Sequence, residues 1–398
     1  MPKEQSLRDL LNAAAQAGLD ATSIYTRRPA DVSFQGGLPD PEHFPVDDLI
    51  AATERALRRD PNVALQYSGY GGMEGLRDYV VKRIQGYDGR EVAPEQVMFA
   101  SGSFSAMSMV CRAVLSPDDT LVVEAPTFGS IIRAERLYGV KLLSVPVDQD
   151  GMQIDTLEKA LEELRSEGRS PKLLYTVPTC HNPTGVSLSL ERRRRLVKLA
   201  EEHRFVVIED DTYRDLQFDG APLPSLFSMD QAGLVVQAGS FSKIFAPGLR
   251  LGWVAGHLDI IKGAEAMRDD LGVSPLLALA LADYIEAGKL EPHIEELVAL
   301  YRKKCDRMTA ALGEHCAPWV SWRQPMGGFF IWLDLAPEVD SQRLMEAAEE
   351  EGVAFNLGTR YHGDGSGQQN ARLTFGHNTL DEIDRGIAAL GRALAKSV

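Results

Sequence analysis

The chain has 398 residues, 44% of them hydrophobic, and its 42 lysines and arginines against 57 aspartates and glutamates leave a formal charge of −15. A chain of this length buries enough surface to need no metal or disulfide staple, and at roughly 150 residues per domain it divides into two or three domains. The acidic balance argues against nucleic acid as a partner, because phosphate binding demands a basic face.

The N-terminus, MPKEQSLRDLLNAAAQAG, mixes charges of both signs and lacks the apolar core of a secretory signal, so a cytoplasmic location is expected. The longest uncharged stretches, 97–111 and 271–282, fall short of the roughly 18 apolar residues of a membrane helix, and no membrane partner is expected. Between residues 97 and 256 short β-branched runs alternate with helical stretches: VMFAS, LVVEA, KLLSVPV, KLLYTVP, FVVIEDD, LVVQAGS and LRLGWVAG. Seven strands with mostly long crossovers predict an α/β domain around a mostly parallel seven-stranded sheet. The last two runs lie only about ten residues apart, which is short for a helical crossover and predicts one antiparallel strand. In SLSLERRRRLVKLAEEH, Ser189 can cap a helix, and the run Arg192 to Arg195 reads as a solvated helix face. Beyond residue 256 the pattern turns helical, and GGFFIWLDL, SQRLMEAAEEEGVAF and ARLTF read as strand, helix and strand of a smaller α+β unit.

No repeat or long Gly/Ser linker separates these units, so they are expected to pack together. The expected division is 1–44 as an N-terminal arm with part of the small domain, 45–290 as the large domain and 291–398 as the C-terminal small domain. Cys111, Cys180, Cys305 and Cys316 form no CxxC pair and read as buried, idle thiols. His181, beside Cys180, lacks the companions a metal needs, so no metal site is expected.

Ligands of an open parallel sheet collect beyond the carboxyl ends of its strands. After VMFA comes SGSFSAMS, a Gly-Ser turn entering a helix, which offers backbone N–H groups to an anion. Neither GxGxxG nor GxxxxGK[ST] occurs, which counts against a dinucleotide cofactor and a Walker-type NTPase. PTCHNPTG, EDDTY and GSFSKIFAPGLRLG follow three successive strands and bring an amide, a carboxylate with a phenol, and a lysine flanked by serines with an arginine seven residues on. A desolvated lysine at a strand end forms Schiff bases with carbonyl compounds. A carboxylate in the same crevice suits a pyridinium nitrogen, and a Ser-rich, Arg-containing turn suits a phosphate. Together these groups point to pyridoxal phosphate.

Over nearly its whole length, through SFQGGLPDPEHFP, ALQYSGYGGMEGLRDYV, SGSFSA, EAPTFGS, HNPTG, EDDTYRDL, SFSK, QPMGGFFIWLDL and NARLTF, the sequence resembles the fold-type I pyridoxal-phosphate-dependent aminotransferases of class I/II. Within them it resembles the 2-aminoadipate, kynurenine and broad-specificity subgroup. The resemblance implies roles for particular residues. Lys243 would hold the cofactor as a Schiff base and shuttle the substrate proton, and Asp210 would pair with the ring nitrogen. Asn182 and Tyr213 would reach the ring hydroxyl oxygen, and Phe128 would stack on the ring. Ser240, Ser242 and Arg250, with the backbone of Ser103 and Phe104, would hold the phosphate, and Tyr67 would reach the phosphate of a neighbouring subunit in a homodimer. Arg372 would take the substrate carboxylate, with Gly37 closing over it and Asn182 beside it. Asp211, next to Asp210, reads as a capping or solvated residue.

The sequence departs from the subgroup where the substrate side chain is expected: GYGGM at 69–73 brings Tyr70, and NLGTRYHGDGSGQQN brings Arg360, Tyr361 and His362. The implied reaction moves an amino group between an L-amino acid and a 2-oxo acid such as 2-oxoglutarate. The same groups would also serve elimination, replacement, cyclisation, decarboxylation or oxidation of an amino acid, since the cofactor carries the hard chemistry. A non-enzymatic regulator that fuses such a domain to a DNA reader is disfavoured, because only about thirty residues precede QGGLPD.

Overall fold

Every β-branched run read from the sequence is a strand in the computed structural model, which describes residues 7–22, 30–67, 74–133, 137–220 and 222–398. In chain order the strands are β1 (Val32–Ser33), β2 (Val97–Ser101), β3 (Thr120–Ala125), β4 (Lys141–Asp148), β5 (Gly151–Met152), β6 (Pro171–Thr176) and β7 (Val206–Asp210). Then follow β8 (Val235–Ser240), β9 (Leu251–Ala255), β10 (Val320–Trp322), β11 (Phe330–Leu335), β12 (Val353–Ala354), β13 (Asn356–Leu357) and β14 (Asn370–Thr374).

The large sheet has the order β2-β9-β8-β7-β6-β3-β4-β5, eight strands where the sequence predicts seven. The extra strand is the two-residue β5, which turns back antiparallel onto β4 and is too short to carry a periodic signal. β3, β4, β6, β7 and β8 are parallel, whereas β9 runs antiparallel to both β8 and β2, as the short connection before it requires. Register aligns Ser101 with Leu251, Ser240 with Gly252, Asp210 with Ala238 and Thr176 with Glu209. One edge of the sheet therefore gathers the residues that follow β2, β6, β7 and β8 and those that precede β9.

A four-stranded antiparallel sheet, β10-β11-β14-β13, forms the smaller unit, and β1 pairs in parallel with β12 beside it. Helix Ser341–Glu350 lies between β11 and β12 in sequence, and Asp340 caps it by accepting from the backbone of Gln342 and Arg343. The segment after β1 is tied to the small sheet: Phe34 N donates to Ala354 O (2.7 Å), Thr374 N to Phe34 O (3.1 Å) and Thr374 Oγ1 to Gly36 O (2.9 Å). Lys304, on helix Leu290–His315, closes the far end by donating to Asp40 Oδ2 (2.5 Å) and Gly376 O (2.9 Å). One buried apolar cluster runs from Phe99 and Val122 of the large sheet to Ile331 and Leu373 of the small one. A second fills the other face of the large sheet under helices Ser103–Val114 and Leu258–Ala266.

The arginine run departs from its sequence reading. Ser189 does cap helix Leu190–His203, but Arg193 is 1% exposed and donates to the carbonyls of Leu188, Pro178 and Pro224 and to Thr179 Oγ1. Arg192 grips Asp148 with two bonds of 2.6 and 2.9 Å. Only Arg194 remains on an exposed face, because a helix with strands on one side must turn part of any four-residue run inward.

All four cysteines are buried and unpaired, and burial pushes each thiol up to about 12, so they are inert at neutral pH. Among the described residues no helix is long and apolar enough to cross a membrane.

Candidate active site

Lys243 leaves the end of β8 and its Nζ donates to Gly37 O at 2.6 Å, which joins the large sheet to the segment pinned on the small one. Among the described residues no carboxylate pairs with it. Burial, together with the positive charge of Arg372, lowers its pKa to about 8. Asp210, the last residue of β7, is buried; its Oδ1 accepts from Thr212 Oγ1 (2.6 Å) and Thr212 N (3.4 Å), and its Oδ2 accepts from Tyr175 Oη (2.7 Å). Burial raises its pKa above the usual carboxylate value, while the bonds from Thr212 and Tyr175 pull the other way. Tyr213 is buried edge-on against Phe329 and Phe330, and burial raises its phenol as well.

Helix Ser103–Val114 starts at the same edge. Its N-cap, Gly102, has φ +93°, a conformation that favours glycine, and a Cβ there would crowd Arg250 Nη2 at 2.6 Å. Arg250 donates from Nη2 to Ser101 O (3.0 Å), which holds it over the helix start. Ser240 and Ser242 are buried beside it, linked by a bond from Ser242 N to Ser240 Oγ (3.1 Å). Phe104, in the first turn, meets Phe128 edge-on at 5.9 Å.

Arg372 sits in β14, opposite Trp332 of β11 and Asn356 of β13. It is buried, with Nη1 donating to Asn182 Oδ1 (2.9 Å) and Nη2 to Gln35 O (2.5 Å), and its guanidinium lies over the rings of Phe330 and Tyr361. Its Nε is buried without a hydrogen-bond partner. Asn356 bridges the neighbourhood: Nδ2 donates to Gln35 O (2.9 Å) and Tyr361 Oη (3.1 Å), and Oδ1 accepts from Arg360 Nη1 (2.7 Å). No acid contacts this cluster among the bonds formed by Arg372, Asn356 and Asn182.

The family model for aminotransferase class I and II matches residues 35–390. The chain is 36% identical over 374 residues to the 2-aminoadipate transaminase of Thermus thermophilus, covering 93% of this chain and 91% of that protein. It is 33% identical over 369 residues to aromatic-amino-acid aminotransferase 1 of Thermococcus litoralis, covering 92% and 88%. The crystal structure of Pyrococcus horikoshii kynurenine aminotransferase, in complex with PMP, matches with a TM-score of 0.90 at 34% identity over 98% of this chain and 97% of that one. The chain belongs to the class I and II aminotransferases. It is a pyridoxal-phosphate-dependent transaminase of amino acids with the fold-type I architecture.

The groups present in this aminotransferase fit that cofactor. A helix N-terminus, two buried hydroxyls and a guanidinium converge on the cradle that Gly102 keeps open, which is the donor set of a phosphate site. A buried carboxylate and a half-buried lysine with no carboxylate partner among the described residues stand at adjacent strand ends, as a ring nitrogen and a carbonyl require.

One expectation is corrected. Asp211 is a buried ion-pair member, held by Arg214 Nη1 (3.1 Å) and Gln237 Nε2 (3.2 Å), because the strand end turns it to the sheet face opposite Asp210. Tyr361 is buried, with its ring against the Arg372 guanidinium. Tyr70 lies outside the described residues, and Tyr67 stands 76% exposed. Sequence reasoning missed Tyr175, Thr212, Gln35 and Asn356. Of these only Thr212, two residues beyond an acid at a strand end, carries a local signal, that of an Asx-type turn.

Proposed function

We propose that this aminotransferase exchanges the amino group of an L-amino acid with a medium to large side chain against a 2-oxo acid, 2-oxoglutarate among them, in a homodimer with shared sites. The convergence of Lys243, Asp210, Asn182, Arg372 and Gly37 in one crevice carries this reading. Arg372 takes the substrate α-carboxylate, since its buried planar fork matches a carboxylate with parallel bonds and now rests on an amide and a backbone carbonyl. Asn182 and Gln35 orient the fork, and the rings of Phe330 and Tyr361 keep water from it.

Bound in the crevice, pyridoxal phosphate supplies a carbonyl for the amino group and a ring that accepts the electron pair released at the substrate Cα. Ser240, Ser242, Arg250 and the backbone of Ser103 and Phe104 hold its phosphate, Asp210 its ring nitrogen, Asn182 and Tyr213 its hydroxyl oxygen, and Phe128 its face. Lys243 Nζ would hold it and, once displaced by the substrate amine, would move the proton at the substrate Cα. With a pKa of about 8, about one amine in ten is neutral at pH 7, against about three in ten thousand at the ordinary lysine value. Tyr67, exposed on this chain, would serve the partner subunit's phosphate in the homodimer. Arg360 would border the substrate side chain.

The test is a two-step cycle on the purified protein: an amino acid converts the bound cofactor to its aminated form, and 2-oxoglutarate returns it. Absence of the return with every 2-oxo acid tried would contradict transamination between these partners.

A further inference from the structure

Tyr175 is part of the core by composition and part of the site by geometry. It lies in β6, paired in register with Ile208 of β7, so its side chain shares a sheet face with Ile208 and with Asp210 two residues on. Its ring is fully buried among the residues under helix Ser103–Val114, and its hydroxyl donates to Asp210 Oδ2 at 2.7 Å. Burial holds the phenol well above its ordinary pKa, so it remains the donor. An ionised carboxylate has roughly four acceptor directions. Thr212 Oγ1, the longer contact from Thr212 N, and Tyr175 Oη occupy three of them.

We propose that Tyr175 is a positioning residue for the cofactor's ring nitrogen: with Thr212 it fixes the Asp210 carboxylate so that one acceptor direction remains, for the ring N–H. This rests on the assignment of Asp210 to that nitrogen. A buried carboxylate has no water to hold it in one rotamer or to favour its charged form, and a phenol from the neighbouring strand supplies both functions. Were Tyr175 only a satisfied core polar group, its loss would weaken every ligand of the crevice alike.

The experiment measures dissociation constants of two ligands, pyridoxal phosphate and its carbocyclic analogue in which C–H replaces the ring nitrogen, on the parent protein and on Tyr175→Phe. Both ligands keep the carbonyl and the phosphate, so the ratio of their constants isolates the ring nitrogen and cancels any general loss of folding. Tyr175→Phe, which keeps the packed ring, is expected to weaken pyridoxal phosphate at least about tenfold and the analogue no more than about twofold. Equal weakening of both ligands, or of neither, would overturn the role of Tyr175 while leaving Asp210 in place if the parent still prefers pyridoxal phosphate. A parent protein that binds the two ligands equally would overturn the Asp210 assignment and this proposal with it.

Discussion

The two walls of the crevice are built differently. On the large-sheet side, Asp210, Ser240, Arg250 and the start of helix Ser103–Val114 sit at adjacent strand ends whose register is set by backbone ladders across five strands. On the other side, Arg360 and Tyr361 come from a 3-10 turn, Gly358–Tyr361, between the two-residue β13 and β14, held by side-chain bonds through Asn356 and by a single backbone bond from Thr127 N to Tyr361 O (2.8 Å) rather than by a ladder. A sheet edge fixes atoms to the precision that proton transfer needs, whereas a short loop can be re-cut without disturbing it. Arg372 is the exception that joins them, since it is held by β14 but is proposed to take the substrate carboxylate.

If the contrast is right, changes to the first wall should affect all substrates and changes to the second should sort them. The largest loss is expected for Lys243→Ala, at least roughly 10³-fold in turnover with every amino acid, together with loss or displacement of the visible absorption band of the bound cofactor. Asp210→Asn should still load at saturating cofactor through Lys243 and the phosphate cradle, yet turn over on the order of 10²–10³-fold more slowly, because an amide cannot hold a pyridinium proton by charge. Arg372→Lys replaces a fork with a point charge, and kcat/KM should fall at least about tenfold for donors and acceptors alike. Smallest is Arg360→Ala: an exposed guanidinium contributes little, so a change of a few-fold in the ratio of kcat/KM between acidic and apolar amino acids is expected, with the cofactor spectrum intact. A uniform loss across substrates for Arg360→Ala would erase the distinction between the walls.

The same contrast explains what the sequence reveals. The seven longer strands of the large sheet declare themselves by β-branched runs, and the antiparallel turn of β9 by a connection too short for a helix. The two-residue β1, β5, β12 and β13 exist through tertiary pairing and leave no periodic trace. Lys243 and Asp210 are visible as a lysine and a carboxylate at strand ends, and Arg372 only through the family resemblance. Tyr175 is not, since a tyrosine in a buried strand reads as core until the register of β6 on β7 brings its hydroxyl to Asp210. Asp211 and Arg193 mislead for the same cause: charged residues read as solvated when their buried partners, Arg214 and a set of backbone carbonyls, lie on other elements.

The central claim is that Lys243, carried past the end of β8 and set against Gly37 O, is the residue that holds the cofactor. Reduction of the purified, cofactor-loaded protein with borohydride, followed by proteolysis and mass mapping, tests it most directly. One phosphopyridoxyl label is expected, in the peptide containing GSFSK and on Lys243; a label on any other lysine would contradict that role.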